Sequence, residues 1–231
     1  INRSDIVAAL AWWVLMIVAG WIAWPLLYVS LPGLPDRGYP AAKIAAWLVV
    51  AWIAWLGGTL NLLTWTAPGL ALILAGLALI SGALLWRRRV EWRQYVRANW
   101  RHLLAVEGLT LALFTFFVGV RLSNPDLWHG SFGGEKPMDF AYFNAVLRST
   151  VFPPLDPWFS GGYINYYYFG YVIVGAPVKL LGLNPAVAYN LILPTLYAMT
   201  GIGVFSVAYN WVRSRIVRPG TIVGATMGLP V

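Results

Sequence analysis

The sequence predicts an all-α polytopic membrane protein. It has about six complete transmembrane helices, the start of a seventh, and a long outer loop carrying interfacial helices. Three observations predict this. Of 231 residues, 60% are hydrophobic and only 10% charged, whereas about a quarter of a soluble domain is charged. Mean hydropathy is +0.68, and apolar runs of about 18 or more residues recur with the charges between them. Fourteen tryptophans and twelve tyrosines suit the aromatic belts of a bilayer interface.

Span one runs from Asp5 to Leu27, with Pro25 placed to kink or close it. It lacks the short apolar core and small-residue cleavage site of a signal peptide. The connector LPGLPDRGYP follows, with three prolines and two glycines. Span two is Ala41 to Leu56, and a polar, uncharged connector lies around Asn61 to Pro68. Span three is Gly69 to Trp86. The next stretch, Arg87 to Arg101, holds six arginines. Those at 89, 93, 97 and 101 repeat at i, i+4, forming one stripe of a basic interfacial helix. Its concentration between two spans marks a cytoplasmic loop with anionic-lipid contact and argues against nucleic acid as partner.

Span four is His102 to Val120, with Glu107 about one turn inside. An acid there either faces a cavity or pairs with the nearby arginines, and the pairing is the expectation. With residues 87–101 cytoplasmic, the loop 121–166 is outside. Span five is Tyr167 to Leu183, span six Ala186 to Trp211, and Thr221 to Val231 reads as the start of a truncated seventh. Strict alternation then places Arg213, Arg215 and Arg218 outside, against the positive-inside trend. Either one segment fails to cross or the trend fails locally. The chain divides at 101, into a three-span N-terminal region (1–101) and a second region (102–231).

The outer loop carries the candidate chemistry, with four of the eight acidic residues: Asp126, Glu135, Asp139 and Asp156. Pro137 opens a short helix to Ser149, and Asp139 suits its first turn. On a helical wheel Asp139 points away from Arg148, so it needs another partner. Asp156 lies between prolines in a turn, and Gly161–Gly162 lets the chain bend back to the membrane. Tyr163, Tyr166, Tyr167 and Tyr168 then form either an aromatic belt or a phenol-lined cleft for a sugar or lipid headgroup. The absence of cysteine excludes disulfides, thiolate metal sites and thiol nucleophiles. His129 lacks the spaced partners of a zinc site, and no P-loop, dinucleotide-binding glycine fingerprint or serine elbow occurs.

The segments LPDRGYPAAK, NPDLWH, EKPMDFAYFNAVLRS, FPPLDPWFSGGYINYYYFGY and KLLGLNPAVAYN together resemble the family of very hydrophobic archaeal and bacterial membrane proteins named for its Tyr-Tyr-Tyr run. The resemblance implies the N-terminal part of a longer chain with further spans. MDFAYFNAVLRS followed by YYYFGYVIVGAPVKLLGLNPAVAYN is also similar in layout to GT-C glycosyltransferases of the protein-mannosyltransferase type. That similarity implies a GT-C-like core starting at residue 102. It implies sugar transfer from a polyprenyl-phosphate donor at the outer membrane face. Asp139 takes the place of the catalytic aspartate, as general base or as ligand to a divalent metal (Mg or Mn). Phe140 stands where that family has a second acid, and Asn165-Tyr166-Tyr167-Tyr168 stands where it has His-Pro-Pro-Leu. Asp126, Glu135 and Asp156 would support the site. Lys136, Arg121 and Arg148 would neutralise the donor phosphate, and Tyr166 to Tyr168 would line the channel. The expected partners are membrane lipids and the lipid-linked sugar. The alternative is a non-catalytic assembly subunit that contacts other membrane subunits. A transporter fits less well, because Glu107 is almost alone as an ionisable group within the spans.

Overall fold

The computed structural model describes residues 3–127 and 134–216. Among these it contains seven α-helices: α1 Arg3–Ser30, α2 Ala42–Thr59, α3 Ala67–Arg87, α4 Arg89–Ser123, α5 Lys136–Arg148, α6 Phe169–Leu181 and α7 Pro185–Ile216. No strand is described; Leu155 and Tyr163 form an isolated antiparallel bridge. Five helices (α1 to α4 and α7) are long and apolar enough to cross a membrane.

Spans one to four lie close to where the sequence places them. The arginine stretch is corrected in form. Residues 89–101 are not a separate helix lying along the interface but the first turns of α4, a single helix of 35 residues. A helix of that length rises about 50 Å, so its arginines stand beyond a hydrocarbon core about 30 Å thick.

The second correction concerns span five. Its helix has only 13 residues, about 20 Å of rise, too short for a bilayer core. Both its ends lie at one end of the bundle. Just before α6, the Tyr168 hydroxyl accepts a 2.8 Å hydrogen bond from Trp55 Nε1, near the end of α2. In its last turn, Lys179 Nζ donates to the carbonyls of Trp65, just before α3, and Ser149, just after α5. Gly182 then ends the helix with φ +61°, a left-handed cap that suits glycine.

The chain turns there into α7, which runs antiparallel to α4. Arg121 meets Asn190, Phe117 packs on Tyr197, Leu113 lies against Gly201, and His102 stacks on Tyr209 at 4.1 Å. Because α4 ends where α7 begins, everything from α5 to the start of α7 stays at one end. Arg213 therefore arrives beside Arg37, Tyr95 and Asn99, at the same end as the arginine stripe. In this arrangement the anomaly at 213–215 does not arise, because α6 has both ends at one end of the bundle. Arg218 and the expected seventh span, Thr221 to Val231, lie outside the described residues.

The core between the helices is aromatic and tightly packed, with Trp12, Trp24 and Trp65 almost wholly buried. At Gly20 of α1 a Cβ would fall 2.7 Å from Lys43 Cγ of α2, so only glycine allows this approach. It brings buried Lys43 (3% exposed) into an ion pair with Glu107 of α4, which also accepts a 2.6 Å hydrogen bond from the Tyr39 hydroxyl. Glu107 is paired, as expected, but by a lysine from α2 and not by the arginines. At the arginine end, Asp36 is fully buried and satisfied by Ser206 Oγ (2.5 Å), Asn210 Nδ2 (2.7 Å) and the Gly38 amide (2.9 Å). This carboxylate locks the α1–α2 connector to α7.

Candidate functional site

The end opposite the arginine stripe carries the outer-loop residues. Helix α5 forms because Pro137 occupies its first turn, where an amide proton would have no helical acceptor. Phe143 and Val146 then bury one face. Trp65 pins that face from α3's approach, its indole donating to the Val146 carbonyl at 2.9 Å. Asp139 lies on the same face, one turn before Phe143 and two before Val146, half-buried in the first turn.

The partner that Asp139 needs is Tyr171 of α6, whose hydroxyl donates to Asp139 Oδ1 at 2.6 Å. Burial first, then the hydrogen bond and the charge of Asp139, push this phenol far above its usual range. It therefore stays protonated as a donor. Tyr189 of α7 lies within electrostatic reach of both Asp139 and Arg121, and its ring packs edge-on against Phe140 at 5.8 Å and Phe143 at 5.9 Å. Arg121 is held by its Nε hydrogen bond to Asn190 Oδ1 at 2.8 Å and by Nη2 to the Asp126 carbonyl at 3.3 Å. Tyr167 lies within reach of Glu135 and Asp139, and its ring centroid is 3.9 Å from that of Tyr166. One carboxylate and several phenols thus gather where α5, α6 and α7 meet, and Arg121 of α4 is joined to them through Asn190 and Tyr189 of α7.

Other sequence candidates are placed differently. Asp156 accepts from the amides of Trp158 (2.8 Å) and Phe159 (3.2 Å), so its carboxylate organises its own hairpin. Tyr168 is a packing residue, stacked on Phe152 and bonded to Trp55. Arg148 is exposed at the far end of α5 from Asp139. Asn165 and Glu135 are exposed, and Lys136 is half-buried at the start of α5. His129 lies outside the described residues. Tyr171, Tyr189 and Asn190 were not singled out from sequence, although each stands inside a quoted motif. A polar side chain every three or four residues along YYYFGY, returning to one helical face, is the signal that finds Tyr171.

Among the described residues no group of three metal-ligating side chains occurs. Asp139 is the one carboxylate of this cluster that could ligate a divalent ion, and such an ion would need water or a bound ligand for the rest of its shell.

A family model described as an uncharacterized membrane protein (DUF2298) matches residues 49–230, most of the chain. No curated protein and no solved structure matches it.

Proposed function

The chain belongs to this family of uncharacterized membrane proteins, and on that premise we propose that it is a GT-C-like glycosyltransferase using a polyprenyl-phosphate sugar at the outer membrane face. The observation that carries the reading is the Asp139 cluster. A half-buried carboxylate, oriented by Tyr171, sits with Arg121 in reach of the same Tyr189. Tyr171 bonds Oδ1, and Oδ2, with no hydrogen bond among the described residues, would face the acceptor. Asp139 would take the proton of the acceptor hydroxyl as its oxygen attacks the sugar's anomeric carbon. The bond from that carbon to the phosphate oxygen breaks, and the electron pair leaves with the polyprenyl phosphate. Arg121 would stabilise that developing charge. Any Mg or Mn ion would add a second positive charge at the phosphate, and no step here runs through it.

The test is transfer from a polyprenyl-phosphate sugar by the full-length protein in detergent. Asp139→Asn keeps the shape and the Tyr171 hydrogen bond but removes the base, so transfer should fall by about 10²-fold or more. Retained transfer would remove Asp139 from the mechanism.

A specific observation favours the second reading, a non-catalytic assembly subunit. Leu155, Trp158, Phe159 and Tyr163 of the outer hairpin are all exposed, an apolar patch suited to a membrane partner. Co-purification of a stoichiometric subunit that is lost in Trp158→Ala/Phe159→Ala, with no donor binding, would decide for it.

A further inference from the structure

The arginine end holds a concave site that the outer cluster does not explain. A cavity of about 440 Å³ opens between the α1–α2 connector, α4 and the last turn of α7, lined by Pro32, Pro35, Arg37, Tyr95, Asn99 and Arg213. Three hydrogen-bonded joints build it. Asp36 ties the connector to Ser206 and Asn210. The Tyr95 hydroxyl donates to the Pro35 carbonyl at 2.9 Å, and Asn99 Nδ2 donates to the Tyr95 carbonyl at 2.9 Å. These groups are spent on structure. The two guanidiniums are not: among the described residues neither Arg37 nor Arg213 has an ion pair or a side-chain hydrogen bond. Asp36, beside Arg37 in the chain, is fully buried and already has three donors. Arg37 also sits at φ +52°, a left-handed conformation that a non-glycine residue holds only when its surroundings enforce it. Its guanidinium lies 5.0 Å from the Tyr28 ring centroid, which restricts where it can point.

We propose that this cavity binds a phosphate group, with Arg37 and Arg213 as its two charge-assisted donors. Arginine forks match phosphate oxygens, and two unpaired guanidiniums from separate elements facing one polar cavity form a clamp. Its place just past the bilayer-crossing part of α4 makes an anionic lipid headgroup the expected source. A free phosphate would satisfy the same chemistry. The site lies at the opposite end of the bundle from Asp139 and does not depend on the transferase reading.

The test measures binding of phosphatidylglycerol, phosphatidylcholine and inorganic phosphate separately to the full-length protein in a neutral detergent, by native mass spectrometry and calorimetry. Phosphatidylglycerol should bind at least about tenfold tighter than phosphatidylcholine. Arg37→Gln/Arg213→Gln should weaken it by about tenfold or more, as loss of hydrogen bonds to a charged group implies. Arg93→Gln/Arg97→Gln removes the same charge from the exposed stripe and should change binding by less than about threefold. Arg213 is exposed in the last turn of α7, so Arg213→Glu keeps the fold and should weaken binding as much. Inorganic phosphate that binds with the same arginine dependence would support the site and name a soluble source. Equal losses in the two double variants would mean attraction by net charge alone and would overturn the proposal. So would unchanged binding in Arg213→Glu, or no arginine-dependent binding of either phosphatidylglycerol or inorganic phosphate.

Discussion

Two acidic residues whose roles differ are distinguished by what faces them. Glu107 is matched by Lys43 and Tyr39 within the helix bundle, so removing one partner leaves an uncompensated buried charge. Lys43→Met should destabilise the protein by about 3 kcal/mol, read as a lower thermal midpoint in detergent, and Lys43→Met/Glu107→Leu should recover much of that loss. Recovery is expected because two apolar side chains leave no charge to desolvate. Among the described residues Asp139 is oriented by a single phenol, at Oδ1. Tyr171→Phe should therefore keep the fold and lower transfer by about tenfold, through misorientation of the base. An unchanged rate would make Tyr171 a packing residue only. Asp139 was legible in the sequence, because a helix-opening Pro-Met-Asp and a wheel that points it away from Arg148 leave it unpaired. Its donor was not legible, because Tyr171 is 32 residues away and reaches it only through the packing of α6 on α5.

Elements differ in how far composition determines them. The apolar length of α1 to α4 and α7 makes them long enough to cross a membrane, and apart from the arginine-bearing start of α4 the sequence locates their ends within about five residues. Helix α6 is just as apolar, and composition alone makes it a span. What stops it is a tether at each end: Tyr168 to Trp55, and Lys179 to the carbonyls of Trp65 and Ser149. Tethers of this kind have no sequence period. Lys179→Met should leave those two carbonyls without their donor and cost about 2 kcal/mol. The loss should be local, appearing as faster proteolysis within residues 150–168 before any global unfolding. The arginine stretch teaches the same lesson in reverse. Its i, i+4 stripe correctly indicates a helix, but only the absence of a break after Arg101 makes it one rod with span four.

At the scale of the whole molecule, the tethering of α6 sorts the charges. Arg37, the arginines from 87 to 101, Arg213 and Arg215 share one end, and Asp139, Arg121 and the tyrosine cluster share the other. The positive-inside trend makes the cytoplasmic side the expectation for the arginine end; on that expectation the proposed transferase site is outside and the proposed phosphate clamp inside. This separation rests on five crossings with α6 turning back. The chain has no cysteine, so single introduced cysteines report sidedness without background. The decisive measurement is labelling of Ala98→Cys, Ser160→Cys, Ala186→Cys and Ser214→Cys by a membrane-impermeant maleimide in intact cells. Ser160→Cys and Ala186→Cys should label together, while Ala98→Cys and Ser214→Cys label only after permeabilisation. Labelling of Ser214→Cys alongside Ser160→Cys, with Ala186→Cys protected, would mean that α6 crosses and would contradict the account.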